Sequence, residues 1–249
     1  MSRTFEALQR VELERAQQVD VAATPSQLKT AVVETTRPVK SVRVGEEEVL
    51  KLVQRVFRSA ADGPRVVVFS AIGHGDGCTW VSSSAAMTLA GQTSGSICVI
   101  DANLRTPGLH NVFGIENNLG FTDAMMQSAP VRNFAQQISG SNLWVMPCGS
   151  PTAQSGSSMN SEVLRARITE LRSEFDYVLI DAPPTNTYAD AITLARLADG
   201  MILVLQSNTT RREAALKAKE SCEVAQVRLL GAVLNKRTFP IPQNIYSRL

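Results

Sequence analysis

The chain has 249 residues, of which 44% are hydrophobic and 19% charged, and its formal net charge is +2. This length fits one large domain with an appendage, and a charge so close to zero gives no support for a nucleic-acid partner. No stretch reaches the roughly 20 apolar residues of a membrane span, and the N-terminus shows no secretory signal. The four cysteines form no CxxC pair, which favours reduced thiols in the cytoplasm over a disulfide framework or a zinc site.

The first part of the chain is predicted to lie outside the main domain. In residues 1–18, apolar residues recur at three-residue spacing among charged ones, as in an amphipathic helix. This helix fits either a docking segment that buries its stripe in a partner or a frayed terminus. Residues 19–44 lack periodicity and contain Pro25 and Pro38, which predicts a flexible linker. Residues 45–249 are predicted to form the domain.

Within that domain, helical and strand-like segments alternate. The predicted helices cover 46–58, 79–91, 122–127, 161–175, 190–197 and 211–224. The predicted strands cover 66–69, 96–100, 142–147, 177–181, 201–206 and 229–235. Short apolar strands that alternate with helices are typical of a mostly parallel sheet covered on both faces. We therefore predict a three-layer α/β fold that binds ligands at the carboxyl ends of its strands.

One strand leads into a glycine-rich turn and a helix. The apolar run Val66 to Phe69 is followed by Gly73-His-Gly-Asp-Gly77, and the helix begins at about Thr79. Glycines let backbone N–H groups point inward, and a first helical turn attracts anions, so this is the layout of a phosphate-binding loop. A P-loop reads G-x-x-x-x-G-K-[ST]. Here Gly77 and Thr79 match its end, but Cys78 occupies the position of the lysine.

Two aspartates follow buried strands. Asp101 comes directly after SICVI, and Asp181 directly after YVLI. P-loop proteins place carboxylates near Mg²⁺ in this way. Either aspartate could instead cap the next helix. Together with the glycine-rich turn, the two predict a P-loop NTPase-like fold.

Over residues 46–249 the chain resembles the cytoplasmic domains of bacterial tyrosine kinases of capsule and exopolysaccharide synthesis. These belong to a deviant P-loop class that includes plasmid-partition and septum-site ATPases. The segments that carry the resemblance are SAIGHGDGCT, ICVIDANLRTPGLHNVFG, FDYVLIDAPP and LLGAVLNK. In addition, EVLKLVQ, from Glu48 to Gln54, is similar to the family's oligomerisation helix.

The resemblance implies ATP and Mg²⁺ as cofactors. The implied nucleotide-binding residues are Gly75, Asp76, Gly77, Cys78, Thr79 and Asn235, the last beside the adenine. Thr79 and Asp181 would hold Mg²⁺ and its waters, while Asp101 would complete the metal site or accept the proton of an incoming hydroxyl. Arg105 would lie near the phosphates or at a subunit contact.

Three departures from the family pattern weaken the expected chemistry. Cys78 replaces the lysine, Asn103 replaces a second aspartate, and Tyr246 stands where the family has a run of tyrosines. Cys78 fits two interpretations. It is either the remnant of a degenerate site or a reactive thiol, since a helix N-terminus lowers a cysteine pKa.

The resemblance also implies partners and a location. We expect a homo-oligomer formed through residues 46–58, and a membrane-bound polysaccharide chain-length or export protein as partner. The protein would then be cytoplasmic, at the inner face of the membrane. Three functions remain open: a regulator of polysaccharide synthesis and export that retains weakened phosphoryl transfer, an inactive pseudokinase scaffold, and a partition-type ATPase switch.

Overall fold

The computed structural model describes residues 32–33, 45–57, 63–150 and 161–237. The helices there are α1 (Glu46–Phe57), α2 (Cys78–Ala90), α3 (Leu109–Phe113), α4 (Phe121–Met126), α5 (Ser161–Glu174), α6 (Asp190–Ala195) and α7 (Arg212–Val224), with a 3₁₀ turn at Val131–Phe134. The strands are β1 (Val32–Val33), β2 (Val66–Ala71), β3 (Ile97–Asp101), β4 (Gln136–Ile138), β5 (Leu143–Met146), β6 (Tyr177–Ala182), β7 (Gly200–Gln206) and β8 (Leu229–Asn235).

These strands form one sheet in the order β1-β4-β5-β3-β6-β2-β7-β8. The pairing of β4 with β5 is antiparallel, and the other ladders of the described sheet are parallel. Parallel neighbours align their carboxyl ends, so the loops that follow β2, β3 and β6 leave the same edge of the sheet. In the ladder between β3 and β6, Asp101 lies directly opposite Asp181.

Both faces of the sheet are covered. Successive residues of a strand point to opposite faces, so Val66 and Val68 of β2 pack in one core while Val67 and Phe69 pack in another. The first core also contains buried residues of α4 to α7, and the second contains those of α1 to α3. The three-layer α/β architecture predicted from the sequence is confirmed.

The structure adds elements that the sequence pattern did not indicate, namely α3, β4, β1 and the 3₁₀ turn. The predicted helix over residues 1–18 lies outside the described residues, and so does the 19–44 linker except for Val32–Val33, which form strand β1 against β4. The predicted boundary at residue 45 stays a prediction. Across the described part of the chain, no helix combines the length and apolar character needed to cross a membrane.

Candidate nucleotide site

The glycine-rich turn joins the end of β2 to the start of α2. Gly75 and Gly77 have φ angles of 82° and 90°, a left-handed conformation that strongly favours glycine. A Cβ atom on Gly77 would also lie 2.3 Å from Nδ2 of Asn235. Glycine at position 77 is therefore required both by the turn and by the close approach of β8.

Two side chains hold the loop in shape. Oδ2 of the buried Asp76 accepts a hydrogen bond from the backbone N–H of Gly73 at 2.9 Å. From the end of β8, Nδ2 of Asn235 donates to the carbonyl of Asp76 at 2.8 Å. Asp76 thus shapes the loop from within. The predicted place of Asn235 beside an adenine stays a prediction, and the structure sets this side chain against the glycine-rich turn.

Helix α2 directs an uncapped N-terminus at the loop. Its N-cap residue is Gly77, no side chain hydrogen-bonds to the cap, and its first turn has no acidic residue. The first backbone N–H groups of such a helix have no intrahelical acceptor and carry partial positive charge. Together with the inward-turning glycine backbone, they form a site suited to a phosphate group.

Cys78 begins this helix and is buried. Burial raises the pKa of its thiol well above the ordinary value, and the negative charge of Asp181 raises it further. Both effects favour the protonated thiol. Burial beside a carboxylate therefore favours the degenerate-site interpretation of Cys78 over the reactive thiol, which stays a prediction.

Asp181 is the second-to-last residue of β6, beside Cys78 and Thr79, and is fully buried. Neither carboxylate oxygen has a hydrogen-bond partner among the described residues. Burial raises its pKa from 3.8 to about 7, and the nearby Asp101 adds to the shift. The side chains of Thr79, Cys78 and Ser82 lie close enough to lower the pKa in part, although none of them makes a hydrogen bond of acceptable geometry to either oxygen.

This open carboxylate fits a divalent cation. Mg²⁺ prefers oxygen ligands and is commonly held by one or two carboxylates together with waters and substrate phosphates. Asp181 and the Thr79 hydroxyl supply such oxygens next to the phosphate loop. No cluster of three or more His, Cys, Asp or Glu side chains suited to a metal occurs in the described parts of the chain. In sites of this kind the bound phosphate supplies part of the coordination of the metal.

Asp101 lies opposite Asp181 in the ladder between β3 and β6, but its carboxylate has a different environment. Its Oδ2 accepts hydrogen bonds from the backbone N–H groups of Gly108 at 2.8 Å and Leu109 at 3.0 Å. Its Oδ1 accepts one from Asn103 at 3.2 Å. Burial nevertheless raises its pKa, against the effect of these bonds. Asp101 therefore holds the loop after β3 and the start of α3, and its predicted metal or catalytic role stays a prediction.

The side chain of Arg105 turns toward the segment after β6. Its guanidinium lies 5.0 Å from the ring centroid of Tyr188 and 3.9 Å from Oδ2 of Asp190. The same tyrosine ring meets His74 of the phosphate loop edge to face, with centroids 5.8 Å apart. The sequence pattern does not indicate Tyr188, because nothing in its spacing distinguishes it from a loop residue.

Lys236 is a second residue at the glycine-rich turn that the sequence pattern does not indicate. It directly follows Asn235, and its Nζ donates a hydrogen bond to the carbonyl of Gly75 at 2.5 Å. The one signal in the sequence is its position directly after a strand, since ligands of such sheets bind at the carboxyl ends of the strands. A lone lysine after a strand is too common to have been informative.

Known proteins share this sequence and fold. The ParA family profile, described as NUBPL iron-transfer P-loop NTPase, matches residues 64–247. The tyrosine-protein kinase YwqD of Bacillus subtilis is 30% identical over 179 residues, which cover 72% of this chain and 75% of YwqD.

Solved structures give the same fold. The VpsO kinase domain superposes with a TM-score of 0.69 at 22% identity, covering 79% of this chain and 98% of that one. The septum site-determining protein MinD of Pyrococcus horikoshii, complexed with Mg-ADP, gives a TM-score of 0.58 at 20% identity, covering 74% and 76%.

Proposed function

Because the chain belongs to the bacterial tyrosine-protein kinases, a family built on the ParA-type P-loop NTPase fold, we propose that it binds ATP with Mg²⁺ between β2 and α2. The observation that carries this proposal is the carboxylate of Asp181. It is buried, lacks a hydrogen-bond partner among the described residues and adjoins Thr79. The Mg-ADP complex of MinD, on a related fold, supports the same class of ligand here.

In this proposal each group has a separate task. The backbone N–H groups of Gly75, Gly77 and the first turn of α2 bind the phosphates. The Thr79 hydroxyl and Asp181 hold Mg²⁺, which when bound neutralises charge on the phosphate oxygens. Asp101 fixes the loop that closes the site beside Thr79, since a Cβ atom on Gly108 would lie only 3.2 Å from Cγ2 of Thr79.

The reaction that such a site would perform is phosphoryl transfer from ATP to a tyrosine hydroxyl. Family membership supports this reaction class, whereas Cys78 weakens it. A neutral, buried thiol leaves the developing charge without the usual ammonium group, and loss of one such stabilising group costs about 10²–10³ in rate. The same observation favours a second candidate function, a pseudokinase scaffold that acts by assembly.

We further propose that the protein regulates capsule or exopolysaccharide synthesis and export. It would do so in the cytoplasm, as a homo-oligomer recruited to the membrane by a polysaccharide chain-length or export protein. Helix α1 contains the segment that is similar to the family's oligomerisation helix, and it would enter such an assembly through its outer face. Its buried valines Val49 and Val53 lie in the same core as α2. Its outer face carries exposed charges, with Lys51 paired to Glu47 and Glu48.

Calorimetric titration of Mg-ATP into the parent chain and into Cys78→Lys tests the nucleotide site. We expect weak binding by the parent and at least about tenfold tighter binding by the variant, because an ammonium group next to phosphate adds charge-assisted hydrogen bonds. Cys78→Ala is the neutral control and should bind like the parent. Mass spectrometry of the same samples then measures phosphotyrosine.

The outcomes separate the two candidate functions. Tight binding and phosphotyrosine in the parent would exclude the scaffold. Binding that appears only in Cys78→Lys would exclude the enzyme. If neither protein binds Mg-ATP, the proposed nucleotide site itself is wrong.

A further inference from the structure

The phosphate loop lies in a long stretch of chain without cations. No lysine or arginine occurs between Arg65 and Arg105. Arg65 precedes β2, at the end of the strand away from the loop, where its guanidinium donates to the backbone carbonyls of Asp176, Arg172 and Phe175. Arg105 is engaged with Tyr188 and Asp190. Neither arginine therefore supplies the charge that a lysine at position 78 would give.

The carboxylates around the loop increase the need for such a charge. Asp76 lies within the loop, and Asp101 and Asp181 lie at the ends of the two strands beneath it. A polyphosphate brought to this edge of the sheet meets backbone dipoles but also three acidic side chains. Binding without a cation from the protein would be opposed by this repulsion.

One lysine reaches the loop from another part of the chain. Lys236 follows β8, and its Nζ lies 2.5 Å from the carbonyl oxygen of Gly75. Its stem passes Gly77, because a Cβ atom on that glycine would lie 3.8 Å from Cε of Lys236. The ammonium group therefore lies at the turn that precedes α2.

The backbone fixes this direction. Lys236 has a φ angle of 53°, which is uncommon for a residue with a side chain. Just before it, Asn235 is anchored by its bond to Asp76 and by its own carbonyl, which accepts from Ser207 N–H at 2.8 Å. The left-handed turn after this anchor points the lysine back toward the loop. Such a conformation costs free energy unless the surrounding contacts maintain it.

We propose that Lys236 supplies, from the end of β8, the phosphate-binding cation that position 78 lacks. This inference rests on the proposed nucleotide site. In the free protein the ammonium group donates to the Gly75 carbonyl, a neutral acceptor. When phosphate binds, the flexible four-carbon stem moves the exposed ammonium group onto a phosphate oxygen, with which it makes a stronger, charge-assisted bond.

The test compares binding of ADP, inorganic pyrophosphate and adenosine by calorimetry, for the parent and four variants. The variants are Lys236→Met, Lys236→Arg, Lys217→Met and the double variant Cys78→Lys/Lys236→Met. Lys217 is an exposed lysine of α7, so Lys217→Met matches the loss of net charge away from the site. Each titration is repeated at higher salt, because a direct charge–phosphate contact weakens as salt is added.

We expect Lys236→Met to weaken ADP and pyrophosphate binding by about tenfold or more, because it removes a hydrogen bond between charged groups. Adenosine binding should be unchanged, Lys217→Met should match the parent, and Lys236→Arg should retain most of the affinity. The double variant should recover phosphate binding, because the new lysine restores a cation from the other side of the loop. The salt dependence of ADP binding should be smaller in Lys236→Met than in the parent.

Each contrary result has a distinct meaning. If the parent binds ADP and Lys236→Met binds it equally well, this inference is wrong and the nucleotide site stands. If adenosine binding falls as much as ADP binding, Lys236 acts on the shape of the loop and not on phosphate, which also overturns the inference. If the parent binds neither ADP nor pyrophosphate, the proposed nucleotide site fails and Lys236 has no phosphate to bind.

Discussion

Asp101 and Asp181 occupy equivalent places and have opposite environments. Each is buried at the end of a parallel strand, and they face each other in the ladder between β3 and β6. Asp101 accepts backbone hydrogen bonds from Asn103, Gly108 and Leu109, whereas both oxygens of Asp181 lack partners among the described residues. The protein has thus satisfied one carboxylate internally and left the other open.

The difference indicates which of the two aspartates stabilises the fold and which one is available to bind a ligand at this edge of the sheet. A buried polar group without a partner costs stability, so the open state of Asp181 is unfavourable for folding alone. The absence of these partners fits a carboxylate whose oxygens bind a cation. Asp101 contributes to the fold through its loop and affects the neighbouring carboxylate mainly through its charge.

The largest expected effect follows from removing the satisfied carboxylate. Asp101→Ala leaves three backbone N–H groups without their acceptor, and each such loss costs about 1–3 kcal/mol when the donor is buried. We expect a loss of about 3 kcal/mol or more in the free energy of unfolding, measured by urea denaturation. The expected loss is partly offset because burial of the Asp101 charge itself opposes folding.

Asp123→Ala is the matched control for this prediction. Asp123 Oδ2 accepts one backbone N–H, from Gly120 at 2.9 Å, at the start of α4, and losing such a cap costs about 1 kcal/mol. Equal losses in the two variants would contradict the view that Asp101 organises its loop through several bonds.

This contrast also marks what the sequence could predict. Apolar strands that alternate with helices predicted the layers, because burial on both faces forces that pattern. Strand-end position placed Asp101, Asp181 and the glycine-rich loop at one edge. The sequence could not distinguish the two aspartates, because their difference depends on how the chain turns at Gly108, within a loop that shows no periodicity. It could not place Lys236 at Gly75 either, since this contact joins residues 161 positions apart.

The next largest effect is a gain in the free energy of unfolding, and it concerns the unpartnered carboxylate of Asp181. The pKa of Asp181 is raised from 3.8 to about 7, so the unfolded chain loses this proton at lower pH than the folded chain does. The stability that the protonated carboxyl group contributes is fully present below about pH 4, and it is lost as the pH rises to about 7. The shift corresponds to a cost on the order of 4 kcal/mol for the ionised form. An asparagine at position 181 removes that cost, but its NH₂ group brings two hydrogen-bond donors into the same buried place.

We therefore expect Asp181→Asn to stabilise the nucleotide-free protein by about 2 kcal/mol at pH 7.5 and to flatten its dependence on pH between 4 and 7. Urea denaturation across this pH range measures both effects. The same variant should lose the dependence of nucleotide binding on Mg²⁺. Unchanged or lower stability at pH 7.5 would contradict the description of Asp181 as an unsatisfied carboxylate.

Asp199→Asn provides the control of opposite sign. Burial alone would raise the pKa of Asp199, but hydrogen bonds from Arg172 and from the backbone N–H groups of Val66 and Arg65 lower it overall. Its ionised form therefore stabilises the fold above its pKa, and this stability is lost as the pH falls through that value. Replacing it by an amide should destabilise the protein at pH 7.5, where Asp181→Asn stabilises it.

The smallest expected effect on stability concerns Arg105, which joins the loop after Asp101 to the segment after Asp181. It lies in the loop that Asp101 holds, and it contacts Asp190 and Tyr188 of the segment that follows Asp181. The side chains of Arg105 and Asp190 are 39% and 29% exposed, and ion pairs in such positions contribute about 0–1 kcal/mol. Arg105→Gln should therefore lower stability by less than about 1 kcal/mol, measured by thermal unfolding, and should change ADP affinity by no more than about twofold. Arg196→Gln, at an exposed position directly after α6, is the control for net charge. A tenfold loss of ADP affinity confined to Arg105→Gln would show that this guanidinium leaves Tyr188 and Asp190 to bind phosphate, as the family resemblance implies, and that two cations serve the loop.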